Sequence, residues 1–362
     1  MADDATALDT VVPITGRRLR LPPGPIFHLQ RAPAADHEIG AFRKWAGYKD
    51  LGTDAATDGL VLFQHVLSFG PSEVGGRTGI HCHLSQVHIV IPTSGRGVFS
   101  YDGVVTPALP GAVINQHGGT VHDQFEYSYA AASAEENRLT PLSVDPTPPG
   151  APPQSFGFLE FFVPSVMADV EIVAPDCVTE ADQASAWDHP YHAPGCGYAL
   201  QAADDPGAAW RPVAGQPHLE ARDAETWEAT GLLVSTCILR AAEAPAAGPS
   251  LALDIPGEDG GVEILYVVKG SVGLAGPDGA GLRLETGDCL TCTAGLAGVP
   301  TEPSADLRLL RFYVSARAEM LRERSKAEIE RLEALGPAIV RRREVRPDGD
   351  ARPVNVLSEP RT

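Results

Sequence analysis

The chain has 362 residues, enough for about two domains and a sizeable buried core. Its 28 Lys and Arg against 47 Asp and Glu leave a formal charge of −19, a field that repels nucleic acid and anionic lipid and argues against a phosphate-backbone reader or a membrane-surface binder. With 37 Gly and 32 Pro, about one residue in five interrupts regular structure, which suits many short strands joined by tight turns.

The opening MADDATALDTVV carries neither a basic nor an apolar leader region, and no run of about 18 apolar residues follows, so a cytoplasmic protein is expected. Residues 1–55 read as an amino-terminal arm. From 56 to 175 the chain breaks into short strands. The first follows Gly59 as LVLFQHVL, where one of Gln64 and His65 must face the interior by alternation. Next come the stretch from Gly75 to Gly95, the stretch from Gly111 to His122, and a Pro-rich insertion between about Ala130 and Ser155. That insertion, with Pro146, Pro148, Pro149, Pro152 and Pro153, is too long for a hairpin and reads as a lid over the barrel mouth or a contact loop. The strand LEFFV from Leu159 closes the unit, and residues 176–227 read as a polar linker.

Residues 228–315 repeat the same sequence of strands. Gly231-LLVSTCIL answers Gly59-LVLFQHVL, the run from Glu263 answers that from His88, and GDCLTCTAG answers GAVINQHGG, at offsets of about 172 to 176 residues. The last pair, Leu310-RFYV and Leu159-EFFV, is closer by about 25 residues, the length of the Pro-rich insertion. Cys289 and Cys292, three apart on one strand, should point to opposite faces and so act as ordinary core residues; six cysteines are too few for a disulfide framework. In 316–362, Ala318, Leu321, Ser325, Ile329 and Leu332 recur at helical spacing until Gly336-Pro337, which predicts a carboxy-terminal helix and tail. Within the tail, the run from Arg341 to Arg343 is read as solvated. The expected fold class is all-β, with two tandem barrels.

The chemistry concentrates in the first unit. His81 and His83 are two apart on a strand and share a face, so their imidazoles can converge on one ion; His88 follows on the next strand and His122 after a Gly-rich turn. His117 falls just ahead of that turn, and Gln86 shares the face of His88. In the second unit the repeat offsets replace His81, His83 and His122 by Pro256, Glu258 and Gly298, which leaves Glu263 alone and no transition-metal site.

This spacing resembles the two sequence motifs of the cupin superfamily: Gly75, five residues, His81-x-His83, four residues, His88 in place of the usual Glu, six residues, Gly95; then Gly111, five residues, His117 in place of Pro, Gly119, two residues, His122. The resemblance implies double-stranded β-helix (jelly-roll) barrels, a metal held by His81, His83, His88 and His122, and a degenerate second barrel. It is similar in architecture to double-cupin ring-cleaving dioxygenases of the gentisate and salicylate type. The implied cofactor is Fe(II), with Zn, Mn, Ni and Cu as alternatives. The implied reaction is cleavage of a carbon–carbon bond in a small hydroxy-aromatic acid or β-dicarbonyl-like compound by O2. An isomerase, cyclase or lyase using the metal as a Lewis acid is the second reading, and a non-catalytic sensor the third. An anionic chelating substrate, catalytic or positioning roles for His117, Gln86 and Glu126, a carboxylate clamp from Arg77 or Arg96, and a homodimer or larger assembly complete the expectations.

Overall fold

The computed structural model describes residues 25–32, 36–39, 45–70, 81–83, 85–101, 104–117, 120, 122–130, 135–136, 141–165, 169–171, 199–202, 209–243, 249–253, 261–275, 281–298 and 300–318. Of the helix expected from 316 onward only the start, through Ala318, is described; the rest of it, Arg77, and the positions of Pro256 and Glu258 lie outside these residues.

The strands through the first repeat are β1 (Phe27–Gln30), β2 (Glu38–Ile39), β3 (Ala46–Asp50), β4 (Leu62–Ser68), β5 (His81–His83), β6 (Val87–Ser94), β7 (Gly97–Tyr101), β8 (Val104–Ala108), β9 (Val113–His117), β10 (His122–Tyr127) and β11 (Gly157–Val163). Those that follow are β12 (Asp169–Glu171), β13 (Ala199–Gln201), β14 (Arg211–Val213), β15 (Gln216–Asp223), β16 (Val234–Ala241), β17 (Val262–Lys269), β18 (Ser271–Ala275), β19 (Gly281–Glu285), β20 (Cys289–Thr293) and β21 (Arg308–Val314). The fold is all-β.

One seven-stranded sheet, β13-β9-β6-β11-β4-β3-β2, packs against a five-stranded sheet, β12-β5-β10-β7-β8, to make the first barrel. A second seven-stranded sheet, β1-β20-β17-β21-β16-β15-β14, repeats the first strand for strand. Opposite it stands the hairpin β18-β19.

The two large sheets pack back to back, so their central strands are covered on both faces. This is why β6 and β17 read as nearly continuous apolar runs instead of alternating ones. Along β6, Val90 joins the interior of the first barrel, while Ile89 and Ile91 join a core shared with Ile264, Tyr266, Leu310 and Phe312 of the second. At the centre of that shared core Phe161 stacks on Phe312, its counterpart in the repeat, with ring centroids 4.3 Å apart, and Phe63 meets Phe161, Tyr266 and Phe312 edge-on. Cys289 packs into this shared core and Cys292 into the interior of the second barrel, on opposite faces of β20. Burial pushes the Cys292 thiol up to about 12 and the Cys289 thiol higher still, so neither is a reactive thiolate.

The regions read as arm and linker are built into the sheets. β1 pairs with β20 of the second barrel, and β13 pairs with β9 of the first, so each unit receives an edge strand from the segment that precedes the other. The β1 segment is tied down by Asp288, which accepts hydrogen bonds from Arg31 and from the Ala32 backbone. β14 and β15, also inside the expected linker, extend the second large sheet, and β3, inside the expected arm, pairs with β4. β1 and β14 are short, and β15, though eight residues long, is half exposed along much of its length, so their sequences lack a sustained apolar period.

Residues 141–155 of the Pro-rich insertion do not cover the histidine end of β6. The Ser143 amide bonds to the Thr93 carbonyl, five residues and roughly 17 Å along the strand from His88. Val144 is buried in the shared core, and Asp145 accepts two 2.8 Å hydrogen bonds from Arg308 of β21. Residues 141–155 are thus a strap between barrels at the far end and not a lid, while 131–134 and 137–140 of the insertion lie outside the described residues. Gly95 of the first motif makes the turn between β6 and β7 at φ +59°, where a Cβ would stand 2.6 Å from the Gln154 carbonyl oxygen.

Candidate metal centre

Three strands bring three histidines together inside the first barrel. His83 comes from β5, His122 from the start of β10, and His88 from the second position of β6 on the opposing sheet. All three are buried, and each offers a ring nitrogen within 4.8 Å of the others. Ring centroids are 4.7 Å apart for His83 and His88, 4.8 Å for His83 and His122, and 6.1 Å for His88 and His122. Nitrogens bound to one ion at about 2.0–2.1 Å lie roughly 3–4 Å from one another, so small side-chain adjustments close the trio on a divalent cation.

The surroundings suit ligation. His122 directs Nδ1 at the Thr120 carbonyl oxygen, 2.9 Å away, which puts the proton on Nδ1 and leaves the Nε2 lone pair for an ion. Nδ1 of His88 meets the Gln116 side-chain amide at 2.7 Å. There the Gln116 amide nitrogen donates to Nδ1, and ligation of an ion through Nε2 would require that amide to turn so that its oxygen accepts from Nδ1. Phe162 lies flat on His88, centroids 4.1 Å apart, and edge-on to His83, and Tyr101 lies 5.8 Å from His122, which fixes the ring planes in an apolar setting.

A carboxylate stands beside the trio. Glu160 of β11 faces the same side as Phe162, its Oε1 is 3.6 Å from Nε2 of His88, and its Oε2 accepts a 2.7 Å hydrogen bond from Gln64. Glu160 and Gln116 were missed in the sequence. The signal for Glu160 was a lone acid within an otherwise apolar strand, LEFFV, in a unit whose other strands carry the histidines.

The remaining expected residues are distributed as follows. His81 lies in β5, and its backbone is in register with His122; the side chains of His81 and His117 lie outside the described residues. Gln86 is buried two residues before His88, and its Oε1 accepts no hydrogen bond among the described residues. Glu126 does not join the site. A register shift in β10 between Gln124 and Glu126 leaves it over half exposed, ion-paired with Arg96, and the same pair removes Arg96 as a clamp for substrate. Of the pair on β4, Gln64 reaches the site, whereas His65 bonds with His37 at 2.9 Å and lies 3.4 Å from the Thr93 hydroxyl. Burial, reinforced by His37 and Lys49, holds the pKa of His65 well below the ordinary histidine value.

In the second barrel, the strand positions equivalent to His88 and Glu160 carry Glu263 and Arg311, joined Nε to Oε1 at 2.6 Å. Arg311 also donates to the Leu253 carbonyl oxygen.

No family model and no curated protein matches the chain. Among solved structures, the chain is similar to procruciferin, an 11S globulin from Brassica napus, at 10% identity and TM-score 0.47, covering 80% of this chain and 85% of that one. It is also similar to GK1651 from Geobacillus kaustophilus, at 14% identity and TM-score 0.45 over 80% and 95% of the two chains. A deletion mutant of oxalate decarboxylase from Bacillus subtilis aligns at 10% identity and TM-score 0.42 over 79% and 76%. No helix among the described residues is long and apolar enough to cross a membrane.

Proposed function

We propose that the chain is a metal-dependent double-barrel enzyme of the cupin type, an Fe(II) dioxygenase that cleaves a carbon–carbon bond in a small oxygen-chelating substrate, a hydroxy-aromatic acid or a β-dicarbonyl-like compound. The observation that carries this reading is the buried all-imidazole trio of His83, His88 and His122. Three neutral ligands leave a divalent ion its full charge and about three of six coordination positions, room for a bidentate oxygen ligand and O2. Bound Fe(II) would supply charge stabilisation and electrons for O2 chemistry. The chain's own part is positional: Thr120 and Gln116 orient two rings, and Phe162 and Tyr101 limit water around them.

Glu160 favours a second reading, in which Zn, Mn or Ni acts as a Lewis acid in an isomerase or lyase and this half-buried carboxylate handles a substrate proton. Oxygen-electrode screening of the iron-loaded protein against hydroxy-aromatic acids and diketones separates the two. Stoichiometric O2 uptake, lost in His83→Ala, supports the dioxygenase. Turnover without O2 uptake moves the assignment to Lewis-acid chemistry.

A further inference from the structure

The polar groups beside the histidine trio narrow the substrate. Oε2 of Glu160 takes one hydrogen bond from Gln64, and Oε1 stands 3.6 Å from His88, so the carboxylate retains acceptor capacity out of about four lone-pair positions. Although it faces the barrel interior, 13% of its side-chain surface stays exposed. Among the described residues no Lys or Arg is buried within the first barrel; the buried Arg222 belongs to β15 of the second sheet.

The second barrel shows what the same frame does when its carboxylate is answered from within. There Glu263 and Arg311 close on each other at 2.6 Å, and acid and base are both satisfied. In the first barrel the carboxylate has moved to β11 and the group opposite it is an imidazole, so an arriving molecule has an anionic acceptor to meet.

We propose that Glu160 is a substrate-binding residue that receives a hydrogen-bond donor, a hydroxyl or ammonium group, placed next to the substrate's metal-chelating oxygens. This inference rests on the metal-centre reading above. It selects the hydroxylated chelators over the β-dicarbonyls, which bring acceptors only, and over ligands that would turn a second carboxylate toward Glu160.

The test is anaerobic calorimetric binding of two probes to the metal-loaded full chain: pyrogallol, and the catechol in which its third hydroxyl is a methyl ether. Both carry the same chelating pair and differ in the adjacent donor. The wild type is expected to prefer pyrogallol by about 10–100-fold, the range of a hydrogen bond to a charged group. Glu160→Gln should lose that preference while keeping its metal content, its melting temperature and its affinity for the methyl ether. Equal affinities in the wild type, which needs no variant to fold, overturn the inference, as does a preference that survives Glu160→Gln with metal bound. If the wild type retains no metal, the proposed function fails and takes this inference with it; if metal and both probes bind without discrimination, only the inference fails.

Discussion

The two barrels share a strand order and a common core, yet they differ in what they bury between their sheets. The first encloses three imidazoles from opposing sheets with a carboxylate beside them; the second encloses the Glu263–Arg311 ion pair in the corresponding strands. A buried ion pair with its hydrogen bonds made holds a barrel together and has little left to offer a ligand, whereas clustered neutral imidazoles gain little from one another and much from a cation. One architecture thus supports a reactive centre in one copy and a closed interior in the other. The shared aromatic core makes the stability of each copy depend on the other.

The contrast can be broken most severely in the second barrel. Arg311→Ala leaves Glu263 buried without its guanidinium and should cost about 3–5 kcal/mol in chemical denaturation, while replacing both partners by Met should restore most of the loss. Metal content should be unchanged in every folded variant of this pair; loss of metal would show that the second barrel holds it. In the first barrel, Gln116→Leu removes the partner of His88 Nδ1 and should weaken metal affinity about 10–100-fold by competition titration, with the melting temperature of the metal-free protein little altered.

A smaller effect follows from His65. Its folded pKa is held well below the unfolded value of about 6.5, so below that pH the unfolded chain binds the proton that the folded chain refuses. Stability is therefore full above about pH 6.5 and falls as pH drops toward the folded pKa, with a slope of at most about 1.4 kcal/mol per pH unit. His65→Gln should flatten this slope in melts taken at a series of pH values; an unchanged slope would assign the loss elsewhere. Smallest is the strap: Asp145→Ala breaks a partly exposed ion pair with Arg308 and should cost under about 1 kcal/mol.

Much of this contrast was legible in the sequence. The repeated glycine-bounded apolar runs mark two copies of one β unit, because strands covered on both faces lose their polar alternation. His83, His88 and His122 stand out by spacing, since two-residue alternation and Gly-rich turns leave few ways to arrange them. The exchanged strands β1 and β13 did not stand out: they are short edge strands whose pairing is decided by the sheet they meet. Glu160 and Gln116 were hidden for a related reason. A single polar residue in a strand has the same sequence signature whether it points to solvent or to a site, and only the register across β4, β6, β9 and β11 brings Gln64, Glu160, His88 and Gln116 together. Glu126 misled in the opposite direction, because the irregularity in β10 moves it out of the alternation its position suggests.

The most direct test of the central claim is metal stoichiometry by mass spectrometry on untagged protein purified without added metal. The wild type, the His83→Ala/His88→Ala variant and the Glu263→Met/Arg311→Met variant should be measured side by side. About one transition-metal ion per chain in the wild type and in the second-barrel variant, and none in the histidine variant, is the predicted result. A folded wild type without metal, or a histidine variant that keeps its ion, would contradict it.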